Sequence, residues 1–261
     1  MSATRSASTS SAPTPATPAR TTVTPSGLTR AAGASAALAG LIYIVIQFIH
    51  PRDVITSITT PMWLVVHLLS MSMAVLALIG LAGLYLSQVR RLGVLGLIGY
   101  LMFSLFFILQ AAFNFAEALI APLLTDAAPQ FATDFVGLFG RYASTTDLGP
   151  LALVVPVGSA LYIVGALVFG IALLRAHVLS RGASILLIVA AVLTPVAGLL
   201  PHTVERMAAI PMGLALIWLG YSLWSTQRRA AQQPTDGAEG TNGTAGTAGT
   251  ERGIRRATPT R

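Results

Sequence analysis

The sequence predicts an all-α fold: a polytopic membrane helix bundle of six transmembrane helices with disordered polar tails. Three observations carry this. Of 261 residues, 54% are hydrophobic and only 10% charged, whereas water-soluble domains carry about 25% charged residues. Six apolar runs, at about 31–49, 62–86, 93–120, 151–174, 183–200 and 207–224, match the roughly 20 residues a helix needs to cross a hydrocarbon core of about 30 Å. Low-complexity polar segments flank them on both sides.

Residues 1–27 are Ser, Thr, Ala and Pro with almost no large apolar side chains, so they cannot bury enough surface to offset the entropy of ordering and read as a disordered tail. The first apolar run begins near Ala31 and is long enough to span, unlike the short apolar core of a cleaved signal, so no cleaved signal is expected. Trp63 opens span two, and Trp218, Tyr221 and Trp224 close span six, as aromatic anchors at the interfaces do. In span three Gly93, Gly96 and Gly99 recur every third residue, and in span four Ala166 and Gly170 form a small-xxx-small pair; both patterns predict close helix packing. Between these spans, Phe131, Phe135, Leu138, Phe139 and Tyr142 form one apolar stripe with Asp134 largely off it. That spacing predicts an amphipathic helix over about 130–142, lying on the outer leaflet and covering the bundle. Spans five and six hold Pro195 and Pro211, with Pro201 between them, and are open to kinking or a re-entrant path. From 227 to 261 the chain is polar and repetitive again, a second disordered tail, which leaves 28–226 as the transmembrane domain.

Arginine placement sets the expected orientation. Six spans put Arg20, Arg30, Arg90, Arg91, Arg175, Arg181, Arg228 and Arg229 on one side and Arg52, Arg141 and Arg206 on the other. Both termini are then cytoplasmic, and the loops at 50–61, 121–150 and 201–206 face outward. The net charge of +7 comes from span-flanking and tail arginines rather than from a basic stripe on a folded face, so membrane lipid is the expected partner and nucleic acid is not. All 16 cations are arginine and cysteine is absent, which excludes Schiff-base lysine chemistry, a P-loop lysine, thiolate catalysis, Cys-ligated metal and disulfides. The absence of a Walker motif excludes ATP-driven transport within the chain, and the absence of a GxSxG elbow argues against a serine hydrolase.

Ionisable groups inside a bilayer are costly and mark sites. His67 lies about 7.5 Å below the outer end of span two and Glu117 about 4.5 Å below that of span three, while His50 and His202 fall in the same leaflet. Polar residues repeat at i, i+4, i+7 as Tyr43, Gln47 and His50, as Trp63, His67 and Ser70, and as Gln110, Asn114 and Glu117. A polar face turned to lipid would be expensive, so the stripes should point inward and line one outward-facing cavity. Its candidate residues are His67, Glu117, His50, Asn114, Gln110, Gln47, His202 and Arg206. Two kinds of function fit: a small transport, sensing or accessory protein binding a proton, ion or small polar solute, or a membrane-embedded metal- or haem-dependent enzyme using His50, His67, Glu117 and His202. No HExxH or i, i+4 histidine pair is present, so metal ligands would have to come from separate helices. A purely structural clasp of Glu117, His67 and Arg206 is the third alternative.

The segments FIHP (48–51), MWLVVHLLSM (62–71), FNFAEALIAPLL (113–124), LLPH (199–202) and PMGLALIWLGYSLW (211–224) resemble stretches in a group of six-span integral membrane proteins of GC-rich, actinobacterial-type bacteria, to which no activity is assigned. The likeness covers about 28–225. It implies a bacterial cytoplasmic membrane protein and supplies no catalytic residues; the preference for Arg over Lys fits such a genome.

Overall fold

The computed structural model describes residues 23–140, 143–197 and 206–232. The tail assignments for 1–22 and 233–261, together with Arg141, Tyr142, Pro201 and His202, lie outside the described residues. The described chain is all-helical, with no strand among its residues. Its elements are α1 (Pro25–Ile49), a short α2 (Ile55–Ile58), α3 (Pro61–Leu86), α4 (Val89–Phe115), a π-helical turn (Ala116–Ile120), α5 (Ala121–Ala127), α6 (Pro129–Gly140), a 3-10 turn (Gly149–Leu153), α7 (Val154–Ala176), α8 (Arg181–Ala197) and α9 (Ile210–Gln232). Four helical stretches are long and apolar enough to cross a membrane: Pro25–Ile49, Pro61–Leu86, Val89–Ala127 and Gly149–Ala176. The 17 residues of α8 reach about 25 Å.

Two of the long helices start on the same local device. Thr24 and Thr60 accept from the backbone N–H groups of Gly27 and Trp63, each followed by Pro at the first helical position, where its missing donor costs nothing. The Thr24–Pro25 pair therefore starts α1 six residues before Ala31, so Pro25–Gly27 belong to the helix rather than to the tail that composition assigned them, as do residues 227–232, which continue α9.

In chain order each of the six long helices packs on the next, and α9 packs on α1, so the helices form a ring in which neighbours run antiparallel. Its core runs from Ala39 and Met73 through Phe103 and Phe169 to Leu187 and Met212. Close approaches are set by glycine. A Cβ on Gly99 would strike the backbone of Phe169, and one on Gly165 the backbone of Phe103. Between α1 and α9, Gly33 faces the Gly220 carbonyl and Gly213 faces that of Gly40, each at a position where a Cβ would come to 2.7 Å. Gly93 is different. Its φ of 57° and ψ of −157° break the helix, and a Cβ there would meet nothing within 4 Å; the expected packing glycine is a kink at the fifth residue of α4.

Three further expectations are corrected. The third apolar run does not end at 120 but continues through the π-turn to Ala127. The amphipathic helix spans Pro129–Gly140, and Asp134 is buried rather than off the packed face. Ala132, Phe135 and Val136 pack with Ile58, Trp63 and Phe113, while the trailing loop folds over Asp134, whose carboxylate accepts from Thr146 N at 2.8 Å, Thr146 Oγ1 at 2.7 Å and Thr145 N at 3.2 Å. Hydrogen bonds from Thr146 hold that carboxyl down to about 2. Trp63, expected as an interfacial anchor, has no exposed surface.

The two ends of the ring differ. At one, Arg30 and Arg228 lie over the Trp224 indole, 5.6 and 5.3 Å from the ring centroid, on the level of Arg90, Arg91, Arg175 and Arg181 at neighbouring helix ends. At the other lie the described carboxylates Asp53, Glu117, Asp126, Asp134 and Asp147.

Candidate ligand cavity

At this second end, α1, α3, α4, α7 and α8 enclose a cavity of about 370 Å³. The polar stripes of α1 and α4 line it: Tyr43, Gln47 and His50 from one, Gln110, Asn114 and Glu117 from the other. Of the α3 stripe only Ser70 reaches the wall, beside Met73, because Trp63 and His67 pack behind Glu117. Tyr162 and Thr194 add hydroxyls deeper in, and Asp53 and Arg206 stand on the wall beside His50. His202 lies outside the described residues.

The position of Glu117 follows from the sequence around it. Pro122 has no N–H and cannot close an α-helical turn, and the chain responds by widening: the Ala121 N–H bonds to Ala116 O, five residues back. The carbonyl of Glu117 thereby loses Ala121 as a partner, and Pro122, next in the π register, has no donor. Trp63 Nε1 fills the gap, donating to Glu117 O at 2.8 Å. A π-turn and a tryptophan from another helix thus fix where the carboxylate projects.

His67 is held as tightly. Its Nδ1 lies 2.7 Å from the Trp63 carbonyl and so carries a proton, and its ring packs on the Trp63 indole with centroids 4.0 Å apart. Nε2 then faces Glu117 Oε2 at 3.3 Å. Two lone-pair-bearing atoms at that distance in a buried place need a proton between them, so the pair holds one, either as imidazolium and carboxylate or as imidazole and carboxylic acid.

A second cluster adjoins the first. Arg206 donates to Asp53 Oδ2 at 3.0 Å and to His50 O at 3.3 Å, and the His50 ring lies 5.2 Å from that of His67. His50 Nδ1 sits 2.7 Å from Pro51 O and donates to it, which makes Arg206, at 3.1 Å from the same nitrogen, a packing neighbour of that atom. Burial pushes the His50 imidazole down to about 4, against the opposing pull of Asp53, so His50 is neutral near pH 7. Arg206, expected to balance Glu117, is committed to Asp53.

Asp53 is the residue that sequence reasoning missed. It lies in the outward-facing loop 50–61, yet it is 7% exposed; the available signal was its place three residues after His50, in a chain with nine acids in all. The structural role of Trp63 was hidden as well, although Pro122 placed five residues after Glu117 was readable. Among the described residues no group of three or more His, Asp or Glu side chains converges as metal ligands, and both His67 nitrogens already have partners. Comparison with protein-family models, curated proteins and solved structures gives no match.

Proposed function

We propose that the chain is a six-span protein of a bacterial cytoplasmic membrane, both termini cytoplasmic, acting in small-solute transport, sensing or an accessory role through an outward-facing cavity that binds a proton, ion or small polar solute. The observation that carries this reading is Glu117: a carboxylate 5% exposed, set in a π-turn and opening onto a cavity of about 370 Å³. A carboxylate used only as a clasp for His67 would not require a space of that size beside it, and π-turns concentrate at functional sites. The six-span count rests on α8 and α9 completing the ring with the four longer helical stretches, and the orientation on the arginine-rich end facing the cytoplasm.

The test is a thermal-shift panel on detergent-purified protein, with cationic, anionic and neutral polar solutes applied to wild type and Glu117→Gln. A ligand at 100 times its Kd stabilises the folded state by about 2.7 kcal/mol. At least one class is expected to raise the melting temperature of wild type and to lose that effect in Glu117→Gln. If no class stabilises wild type, the His67–Glu117 pair is structural and the proposal falls.

A further inference from the structure

We infer that the cavity takes a small organic ammonium ion, a protonated amine on an aromatic or aliphatic body, in preference to a neutral or anionic solute of the same shape. The inference rests on the reading of the cavity as a ligand site and names its ligand class.

Hydrogen-bond polarity of the wall is the first support. Gln47 Nε2 donates to Tyr43 O at 3.0 Å and Asn114 Nδ2 to Gln110 O at 2.8 Å. A backbone carbonyl can only accept, so the amide nitrogen must face the helix and the amide oxygen must face away from it. Ser70 and Thr194 likewise commit their hydroxyl hydrogens to Val66 O and Ala190 O, leaving lone pairs. The cation on the wall, Arg206, is engaged by Asp53 and the His50 carbonyl. The wall therefore presents acceptors at the amide oxygens of Gln47 and Asn114, the hydroxyl oxygens of Ser70 and Thr194 and the Glu117 carboxyl group.

Gln110 gives a second, independent support. Its Oε1 is buried and has no hydrogen-bond partner, although it lines the cavity. A buried acceptor without a donor is costly, and an occupant that brings N–H groups would relieve it.

The rest of the lining sets the body of the ligand. Phe106, Phe113 and Phe139 border the same space and offer an apolar surface for the body of the ligand. A bare metal ion would leave most of about 370 Å³ unfilled, whereas pockets for small organic ligands start at about 300 Å³.

Isothermal titration of full-length wild type with three isosteres, benzylammonium, benzyl alcohol and benzoate, tests the inference. Benzylammonium is expected to bind at least roughly tenfold more tightly than benzyl alcohol, the ratio for one charge-assisted hydrogen bond, with benzoate not binding. Gln110→Leu, which removes one acceptor and keeps the carboxylate, is expected to weaken benzylammonium by a similar factor. Equal or tighter binding of benzyl alcohol or benzoate overturns the ammonium assignment and leaves the polar-solute reading standing. Failure of all three, together with a silent thermal-shift panel, overturns both. Because the comparison of the three probes uses wild type alone, it does not depend on any variant folding.

Discussion

His50 ends α1 with its ring against Trp63 and His67, at centroid distances of 6.3 and 5.2 Å, and burial holds its pKa near 4. Between an ordinary histidine value of about 6.5 and that lowered value, the unfolded chain binds a proton that the folded chain excludes. The contribution of His50 should therefore be lost as pH drops from about 6.5 to 4, at most about 3.4 kcal/mol from this one group, with the loss from Asp134 following at lower pH. In His50→Gln the loss over that window should be smaller, as read from melting temperature in detergent at half-unit pH steps; superimposable pH profiles would show that His50 is not excluded from protonation by the fold. The contact of His67 with Glu117 at 3.3 Å agrees with the shared level read from the ends of the apolar runs, although the run holding Glu117 continues to Ala127. The pairing of Arg206 with Asp53 was not, because it joins the loop after α1 to the residues before α9, 153 positions apart, and no local periodicity reports on such a contact.

At the scale of helices, apolar runs and Thr–Pro caps locate the long elements, but the pattern does not say which glycines pack. Gly99 and Gly93 belong to one repeat of three and do opposite things: the first lets α4 approach the backbone of α7, the second breaks the helix. That distinction depends on the partner helix, which periodicity within one segment cannot see. Gly99→Ala should force α4 and α7 apart and cost about 1–3 kcal/mol, the usual range for overpacking. Gly158→Ala in α7 is the control, since its added Cβ would make an ordinary contact of 3.5 Å with Leu109 and alanine favours the helix; its melting temperature should equal or exceed that of wild type. Equal losses in both variants would mean that the close approach of α4 and α7 does not depend on glycine. The amphipathic stripe of α6 was readable in the same way, whereas the burial of Asp134 was not, because the hydrogen bonds that cover it come from Thr145 and Thr146 in the loop beyond the helix.

For the whole molecule, charge separates along the ring axis: Arg30, Arg90, Arg91, Arg175, Arg181 and Arg228 gather at one end, and none of the described carboxylates lies there. With the arginine end in the cytoplasm, a cysteine at Thr133 should react with an impermeant thiol reagent added to intact cells, and one at Gln232 only after lysis. The native chain has no cysteine to confuse the result; the reverse pattern would invert the proposed topology. The four longest apolar runs were plain in the sequence, while the closure of the ring was not, because the glycines that face one another at Gly33 and Gly220, and at Gly40 and Gly213, sit far apart along the chain. That closure orders biogenesis. The notched face of α1 is made well before α9, the helix that fills it, so its small-residue groove stays open until α9 arrives. A chain stopped after α8 would hold five of the six long helices and an open seam between α1 and α8.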